Sequence, residues 1–193
     1  RQCRAWRANG LPLRVAVNMA GRSFQQPDLV ERIAARIADC GATPGCLEIE
    51  ITENVLLGDI ERATSVLRRL SEMGVAITID DYGTGYSSLA YLKTLPLHTL
   101  KIDKSFVLDM ARDENDAVIV RSTIDIAHNM GLEVVAEGVE SEAGARMLEA
   151  FGCDLLQGYW ISRPLPGPAL LDWALAQPGM AGAGAGLAGE GRA

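Results

Sequence analysis

The chain has 193 residues, 48% of them hydrophobic and 22% charged, a composition typical of one globular domain with a sizeable core. The formal net charge of -7 argues against DNA or RNA as a partner held through its phosphate backbone, but bound cations still permit a phosphate ligand. No apolar run is long enough to span a membrane and no signal peptide is visible, so we expect a cytoplasmic domain, with any membrane anchor of the parent protein upstream.

Strand-like and helix-like segments alternate along the chain. The first ten residues, RQCRAWRANG, are typical of the end of a helix, so we expect the chain to be a piece of a longer protein. The predicted strands are LRVAVN (13–18), CLEIEIT (46–52), VAITID (75–80), HTLKID (98–103), LEVVAEG (132–138) and DLLQGYW (154–160). The predicted helices cover 27–41, 59–74, 86–95, 114–131, 141–152 and 167–177.

Several helix ends carry recognisable signals. Asp59 and Ser141 are predicted N-caps, and Gly41 and Gly74 are predicted to end their helices. We expect one domain over residues 1–177, incomplete at its N-terminus, and a disordered Gly/Ala-rich tail over 178–193.

The order of elements gives about six βα units in a row. Such alternation with short loops predicts a parallel sheet covered by helices. An open doubly wound sheet and a closed (β/α)₈ barrel are both consistent with this alternation of strands and helices. A barrel usually needs about 250 residues, so a barrel here would lack its beginning.

Each of the six predicted strands carries a polar side chain at or near its carboxyl end. These residues are Asn18, Glu50, Asp80, Lys101, Glu137 and Gln157. Taken singly, such residues are mostly turn formers, caps or solvated lysines. Because all six share one strand parity, they indicate a common site at the carboxyl ends of the strands.

The residues of the opposite strand parity are apolar and are predicted to pack under the helices. They are Val17, Ile49, Ile79, Leu100, Ala136 and Leu156. Glu48 shares the polar parity deeper in its strand, with no partner evident from the sequence.

Converging carboxylates and an amide oxygen favour Mg²⁺ or Mn²⁺ over zinc. Unpaired acidic groups would repel one another and raise their pKa values, so the set indicates two ions with a bridging carboxylate. Paired ions of this kind serve phosphodiester hydrolysis. The four cysteines show no metal-binding spacing and are predicted to be isolated reduced thiols.

Ordered motifs along residues 11–173 resemble the EAL family of cyclic di-GMP phosphodiesterases. They are VAVNMAGRSF, LEIEITEN, DDYGTGYSSL, LKIDKSFV, VVAEGVE and GCDLLQGYWISRPLP. The resemblance implies a modified TIM barrel, of which about six βα units are present, and hydrolysis of cyclic di-GMP to linear pGpG with Mg²⁺ or Mn²⁺. It also implies a homodimer, with sensory or GGDEF domains fused upstream.

The resemblance assigns roles residue by residue. Metal-ligand positions are Asn18, Glu50, Asp80, Asp81 and Glu137. Lys101 matches the lysine that orients or activates water, Glu53 the anchor of the loop after Asp81, and Gln157 a substrate-site glutamine. The loop itself begins with Tyr82, Gly83, Thr84 and Gly85.

The two adjacent aspartates receive different interpretations. Asp80 points inward and is expected to bridge the ions, while Asp81 has the opposite parity and needs a turn to bring its carboxylate back. Gly83 and Gly85 are expected to give that turn its freedom, with residues 86–88 starting the next helix.

The sequence departs from the family in a few places. The Glu-Ala-Leu motif, whose glutamate is a ligand, is expected upstream of this chain, so we expect weak or no turnover from the chain alone. Ala20 stands where the family has Ser, and Tyr82 where it usually has Phe. Two alternatives remain open: a module that binds cyclic di-GMP without cleaving it, and a Schiff-base barrel with Lys101 as nucleophile.

Overall fold

A computed structural model describes residues 2–53, 55, 59–85 and 89–177 of the chain. Within these residues the strands are β1 (Val15–Asn18), β2 (Leu47–Thr52), β3 (Ala76–Tyr82), β4 (Thr99–Ile102), β5 (Glu133–Glu137) and β6 (Leu155–Gln157). The helices are α1 (Gln2–Ala8), α2 (Leu29–Asp39), α3 (Ile60–Glu72), α4 (Leu89–Thr94), α5 (Lys104–Asp109), α6 (Glu114–Asn129), α7 (Glu142–Ala150) and α8 (Gly167–Ala176). Two short 3₁₀ turns, Gly21–Gln25 and Pro44–Cys46, precede α2 and β2.

The six strands form one parallel sheet in the order of the sequence, β1-β2-β3-β4-β5-β6. A doubly wound sheet reverses its strand order at a switch point, and this sheet has no reversal. Right-handed crossovers with a constant direction of travel place every connecting helix on the same face. The order therefore supports the barrel type and excludes the open doubly wound alternative for the described residues.

The core lies between the sheet and the helices that cover it. Its fully buried strand residues include Ile49, Ile51, Ile77, Ile79, Leu100 and Ile102, and helices α3, α6 and α7 contribute Leu67, Leu70, Ile124 and Leu148. The predicted apolar parity is confirmed in the central strands. It is wrong for Val17, which is 44% exposed because β1 is an edge strand of the described sheet.

Most predicted helix ends are confirmed. The Asp59 carboxylate accepts the Arg62 amide at 3.0 Å, and the Ser141 hydroxyl accepts the Gly144 amide at 3.1 Å. Gly74 follows α3 with φ +89°, a conformation that glycine adopts without strain. Helix α5 was absent from the predicted elements; Asp103 caps it by accepting the Ser105 amide at 2.9 Å.

A second, smaller cluster joins the two ends of the described chain. Trp6 of α1 and Leu11 pack with Ala174 of α8, and the Trp6 indole donates to the Gly167 carbonyl at 3.4 Å. Strand β6 is shorter than predicted, because the chain turns at Gly158, where the Trp160 amide bonds the Val139 carbonyl at 3.0 Å. The predicted tail over 178–193 lies outside the described residues. No helix in the described ranges is long and apolar enough to cross a membrane.

Candidate active site

The site is built around the ammonium group of Lys101 in β4. Its Nζ lies 2.9 Å from Glu50 Oε1 on β2, 3.0 Å from Asp80 Oδ1 on β3 and 2.5 Å from Glu137 Oε1 on β5. Strands β2 and β4 are not neighbours in the sheet, so a side chain that joins them requires the sheet to curl around the site. The structure thus brings together four of the six polar strand ends.

Burial makes this charge cluster energetically important. The Lys101 side chain is 7% exposed, and those of Glu50 and Asp80 are 10% and 11% exposed. Burial alone would lower the pKa of Lys101, but hydrogen bonds to the Glu137, Glu50 and Asp80 carboxylates outweigh it and raise the pKa well above its usual value. Lys101 is therefore a fixed positive charge that offsets part of the negative charge of the carboxylates.

Asp81 joins the cluster through an unusual backbone conformation. Its φ of +54° lies in the left-handed region that residues other than glycine rarely adopt, and the register between β3 and β4 shifts between Ile79 and Tyr82. Sequence analysis expected a turn after β3 to redirect this carboxylate. The strand instead continues through Tyr82, and the irregularity within it turns the side chain.

Asp80, Asp81 and Glu137 form a candidate cation site. One carboxylate oxygen from each lies within 4.8 Å of the others. Burial and then the neighbouring charges of Asp80 and Asp103 raise the pKa of the Asp81 carboxyl. Crowded carboxylates of this kind lose their mutual repulsion when a divalent cation binds between them. The donor set consists of hard oxygen atoms, which fits Mg²⁺ or Mn²⁺.

The loop after Asp81 is held by Glu53. Its Oε1 accepts the Gly83 amide at 3.1 Å, and the Thr84 hydroxyl donates to the Asp81 carbonyl at 2.9 Å. Gly83 has φ +99°, as expected for conformational freedom. Gly85 has an ordinary φ, and its role differs from the expected one: a Cβ there would lie 2.5 Å from Glu53 Oε2. Residues 86–88, predicted to start the next helix, lie outside the described part of the chain.

Gln157 and Asn18 flank the cluster on opposite sides. The Gln157 amide donates to Glu137 Oε1 at 3.3 Å, so this glutamine adjoins the cation site. Asn18 pairs in register with Glu50 on the neighbouring strand and is exposed. Both therefore border the cluster at the carboxyl ends of their strands.

Glu48, for which the sequence offered no partner, has two. The Thr78 hydroxyl donates to Glu48 Oε1 at 2.6 Å, and an Arg14 guanidinium nitrogen lies 4.0 Å from Oε2. Glu48 thus belongs to a polar layer below the site.

Sequence reasoning missed one residue of the cluster, Asp103. Burial opposes ionisation of Asp103, but its carboxylate accepts the Ser105 amide and can accept from the Asp81 carboxyl when that group is protonated. These bonds and the nearby Lys104 charge lower the pKa of Asp103. The sequence contains evidence for its position, because Asp103 follows Lys101 by two residues and so has the same strand parity.

Comparison with known proteins yields matches over most of the chain. The family model described as EAL domain matches residues 1–164. The cyclic di-GMP phosphodiesterase NbdA of Pseudomonas aeruginosa is 44% identical over 158 residues, which are 82% of this chain and 20% of NbdA. MucR of the same organism, a bifunctional diguanylate cyclase and cyclic di-GMP phosphodiesterase, is 41% identical over 172 residues, which are 89% of this chain and 25% of MucR.

Solved structures agree with this relationship. The MucR phosphodiesterase in complex with cyclic di-GMP superposes with a TM-score of 0.83 at 40% identity, covering 88% of this chain and 69% of that one. Klebsiella pneumoniae BlrP1, solved with manganese and cyclic di-GMP, gives a TM-score of 0.78 at 28% identity over 86% of this chain and 42% of BlrP1. The fold is that of the modified TIM barrel, represented here by six parallel strands. The chain spans about a fifth to a quarter of the length of the curated relatives.

Proposed function

The chain belongs to the EAL domain family, and from this premise we propose that the full-length protein containing it hydrolyses cyclic di-GMP to linear pGpG with the help of Mg²⁺ or Mn²⁺. The observation that carries the proposal is the group of Glu50, Asp80 and Glu137 around Lys101, with Asp81 beside them. Relatives support the substrate, since NbdA and MucR are named cyclic di-GMP phosphodiesterases.

The proposed ligands are Asn18, Glu50, Asp80, Asp81 and Glu137, all of which offer oxygen atoms. When bound, the divalent cations supply Lewis acidity and lower the pKa of a water molecule. Two cations would offset the negative charge that Lys101 alone leaves uncompensated. A manganese complex of BlrP1 with cyclic di-GMP supports this choice of metal.

Lys101 is proposed to orient the attacking water. Its ammonium group is held by three carboxylates and keeps its proton, so its fixed positive charge can attract and orient a water molecule and stabilise developing negative charge on the phosphate. The same observation argues against a Schiff-base lysine, which needs an unprotonated amine and hence a lowered pKa.

Glu53 and Gln157 are proposed to support substrate binding and the geometry of the loop. Glu53 fixes the Gly83 amide, and through it the position at which Asp81 leaves the strand. Gln157 adjoins Glu137 and presents its side chain at the exposed rim, where a nucleotide would enter.

The test is turnover by the full-length protein that contains this chain, compared for Asp80→Asn and Tyr82→Phe. With Mg²⁺ and saturating cyclic di-GMP, we expect the unaltered protein to form pGpG, Asp80→Asn to lose most activity, and Tyr82→Phe to keep most of it. Equal losses in the two variants would contradict the role of Asp80.

The alternative function, a receptor that binds cyclic di-GMP without cleaving it, is separated by the same assay. Saturable binding with no product under Mg²⁺ or Mn²⁺ would establish the receptor and overturn the hydrolase. We further propose that the full-length protein is a homodimer and that it carries additional signalling domains. The bifunctional name of MucR supports the second of these proposals.

A further inference from the structure

Two of the four cysteines contact each other at the amino end of β2, the opposite end of that strand from Glu50. Cys3 belongs to α1, and Cys46 ends the 3₁₀ turn just before β2. The Cys3 thiol donates to the Cys46 carbonyl oxygen at an Sγ–O distance of 3.7 Å, although 43 positions separate the two residues. The expectation of isolated thiols is thus wrong for this pair, while all four cysteines are free thiols in the structure.

A chain of hydrogen bonds reaches the Cys46 sulfur from a cation. An Arg7 guanidinium nitrogen donates to Thr43 Oγ1 at 2.8 Å, and Thr43 Oγ1 lies 3.4 Å from Cys46 Sγ. Because the Thr43 oxygen already accepts from Arg7, its own O–H is available to donate to sulfur. This arrangement stabilises negative charge on Cys46.

The two thiols consequently differ in acidity. Burial opposes ionisation of Cys46, but the Thr43 hydrogen bonds, the Arg7 charge and the Cys3 thiol outweigh it and lower its pKa. Burial, followed by the charge of Cys46, raises the pKa of Cys3. A thiol of lowered pKa that is hydrogen-bonded by Thr43 and lies beside a thiol of raised pKa is the arrangement of a reactive cysteine and its resolving partner.

The surroundings allow a small reagent to reach the pair. Cys3 is partly exposed and Cys46 is only 5% exposed, but both line a cleft of about 900 Å³ between α1, α2 and the first two strands, which is the route to the Cys46 sulfur. Cys46 immediately precedes Leu47, the first residue of β2, so the pair lies at the amino end of the strand that carries Glu50 near its other end.

We propose that Cys46 and Cys3 form a peroxide-reactive thiol pair that oxidises to an intramolecular disulfide joining α1 to the start of β2. The Cys46 thiolate attacks one peroxide oxygen, the O–O bond breaks, and Cys46 becomes a sulfenic acid while the second oxygen leaves as water after protonation. Cys3 sulfur then attacks the sulfenic sulfur and displaces a second water. The sum is two thiols and one hydrogen peroxide giving one disulfide and two waters.

The test is treatment of the purified protein with hydrogen peroxide, followed by alkylation of the remaining thiols and peptide mapping. We expect a Cys3–Cys46 link, loss of two alkylatable thiols and recovery of both with dithiothreitol. In Cys3→Ser, we expect a dimedone adduct on Cys46 instead. A link to Cys40 or Cys153, or four thiols that stay alkylatable at peroxide concentrations that oxidise free cysteine, would overturn the proposal.

Matched variants separate this chemistry from general exposure of thiols. Cys153→Ser should oxidise like the unaltered protein, because burial raises the pKa of Cys153 to about 11 and keeps it protonated. Thr43→Val should move the midpoint of the pH–rate profile of Cys46 oxidation upward, while Thr43→Ser, which keeps the hydroxyl, should restore it. Identical profiles for all three proteins would contradict the role of the Arg7–Thr43 hydrogen-bond chain.

Discussion

Lys101 lies at the centre of three carboxylates at the carboxyl ends of the strands. Its ammonium group contacts Glu50, Asp80 and Glu137, and the four side chains are almost entirely withdrawn from water. A buried charge left without a partner costs several kcal/mol, so lysine and carboxylates depend on one another. Divalent cations would act on the same carboxylates and partly take over the role of the lysine.

Removal of this lysine charge gives a first prediction. In a metal-free buffer, Lys101→Met should lower the free energy of unfolding by about 3 kcal/mol, because three buried carboxylates then lack a cation. Chemical denaturation measures the change. Addition of Mg²⁺ or Mn²⁺ should stabilise this variant more than the unaltered protein, because the ion supplies the missing charge. Lys93→Met, which removes an exposed lysine of α4, is the control and should respond to metal as the unaltered protein does. A metal response no larger in Lys101→Met than in this control would contradict the prediction.

Gly85 gives a second prediction at the same scale. A methyl group there would lie 2.5 Å from Glu53 Oε2, so Gly85→Ala should displace the Glu53 carboxylate or the loop it anchors. Displacements of about 1 Å near a reacting centre cost on the order of 10²-fold in rate, and we expect a loss of turnover of that order. Gly45→Ala is the control, since the nearest atom to its added carbon lies 3.9 Å away. Comparable activity in both variants would show that the contact does not matter.

Sequence analysis predicted where most side chains of the candidate site lie, and its failures have a physical cause. Strand parity placed Glu50, Asp80, Lys101 and Glu137 correctly, because alternation along a strand is a local property. It did not show that Asp81 itself adopts a positive φ, since that depends on how β3 and β4 shift in register. Register depends on how two strands pair, so it is hard to predict from the sequence of either strand alone.

At the scale of elements, a single carboxylate ties α6 to two strands at the amino end of the sheet. Asp154 Oδ2 accepts the Val134 amide of β5 at 2.8 Å and lies 2.8 Å from His128 Nε2 in the last turn of α6. Asp154 immediately precedes β6, so these bonds connect three elements far from the carboxylate cluster. They should therefore contribute to stability rather than to turnover.

The pH dependence of this connection gives a third prediction. Although burial opposes it, hydrogen bonding from His128 and the Val134 amide lowers the pKa of Asp154 in the folded protein. A lowered folded-state pKa adds stability above the unfolded pKa of about 3.9, and that stability is lost as pH falls through the folded value. Asp154→Asn should thus have a lower unfolding temperature than the unaltered protein at pH 5, and this difference in unfolding temperature should narrow toward pH 3. Thermal unfolding of both proteins at the two pH values measures the difference. A difference that widens on acidification would contradict the role given to Asp154.

Element boundaries were predicted well where capping residues exist and poorly for short segments. Asp59 and Ser141 marked the starts of α3 and α7, because side-chain acceptors for free amide groups are encoded locally. Helix α5 has six residues, too few for a helical repeat of apolar positions to be visible. Its capping residue, Asp103, was the only available signal within LKIDKSFV.

At the scale of the whole molecule, the strand order explains how distant residues meet. A parallel sheet that always advances in one direction curls, so its carboxyl ends converge on a single site from β1 to β6. Alternation of elements predicted the sheet and its helices, but it fits both a barrel and an open doubly wound sheet. The order of strands decided between them, and that order is a property of the folded chain.

The central claim is that the cluster around Lys101 is the centre of a metal-dependent hydrolase acting on cyclic di-GMP. The most direct measurement incubates the full-length protein with saturating cyclic di-GMP in ¹⁸O-labelled water, with Mg²⁺ or Mn²⁺ in one arm and EDTA in the other, and analyses the products by mass spectrometry. Hydrolysis predicts linear pGpG with one ¹⁸O atom on its new terminal phosphate in the metal arms, and intact cyclic di-GMP with EDTA. Intact cyclic di-GMP in every arm, or a product without the label, would contradict the claim.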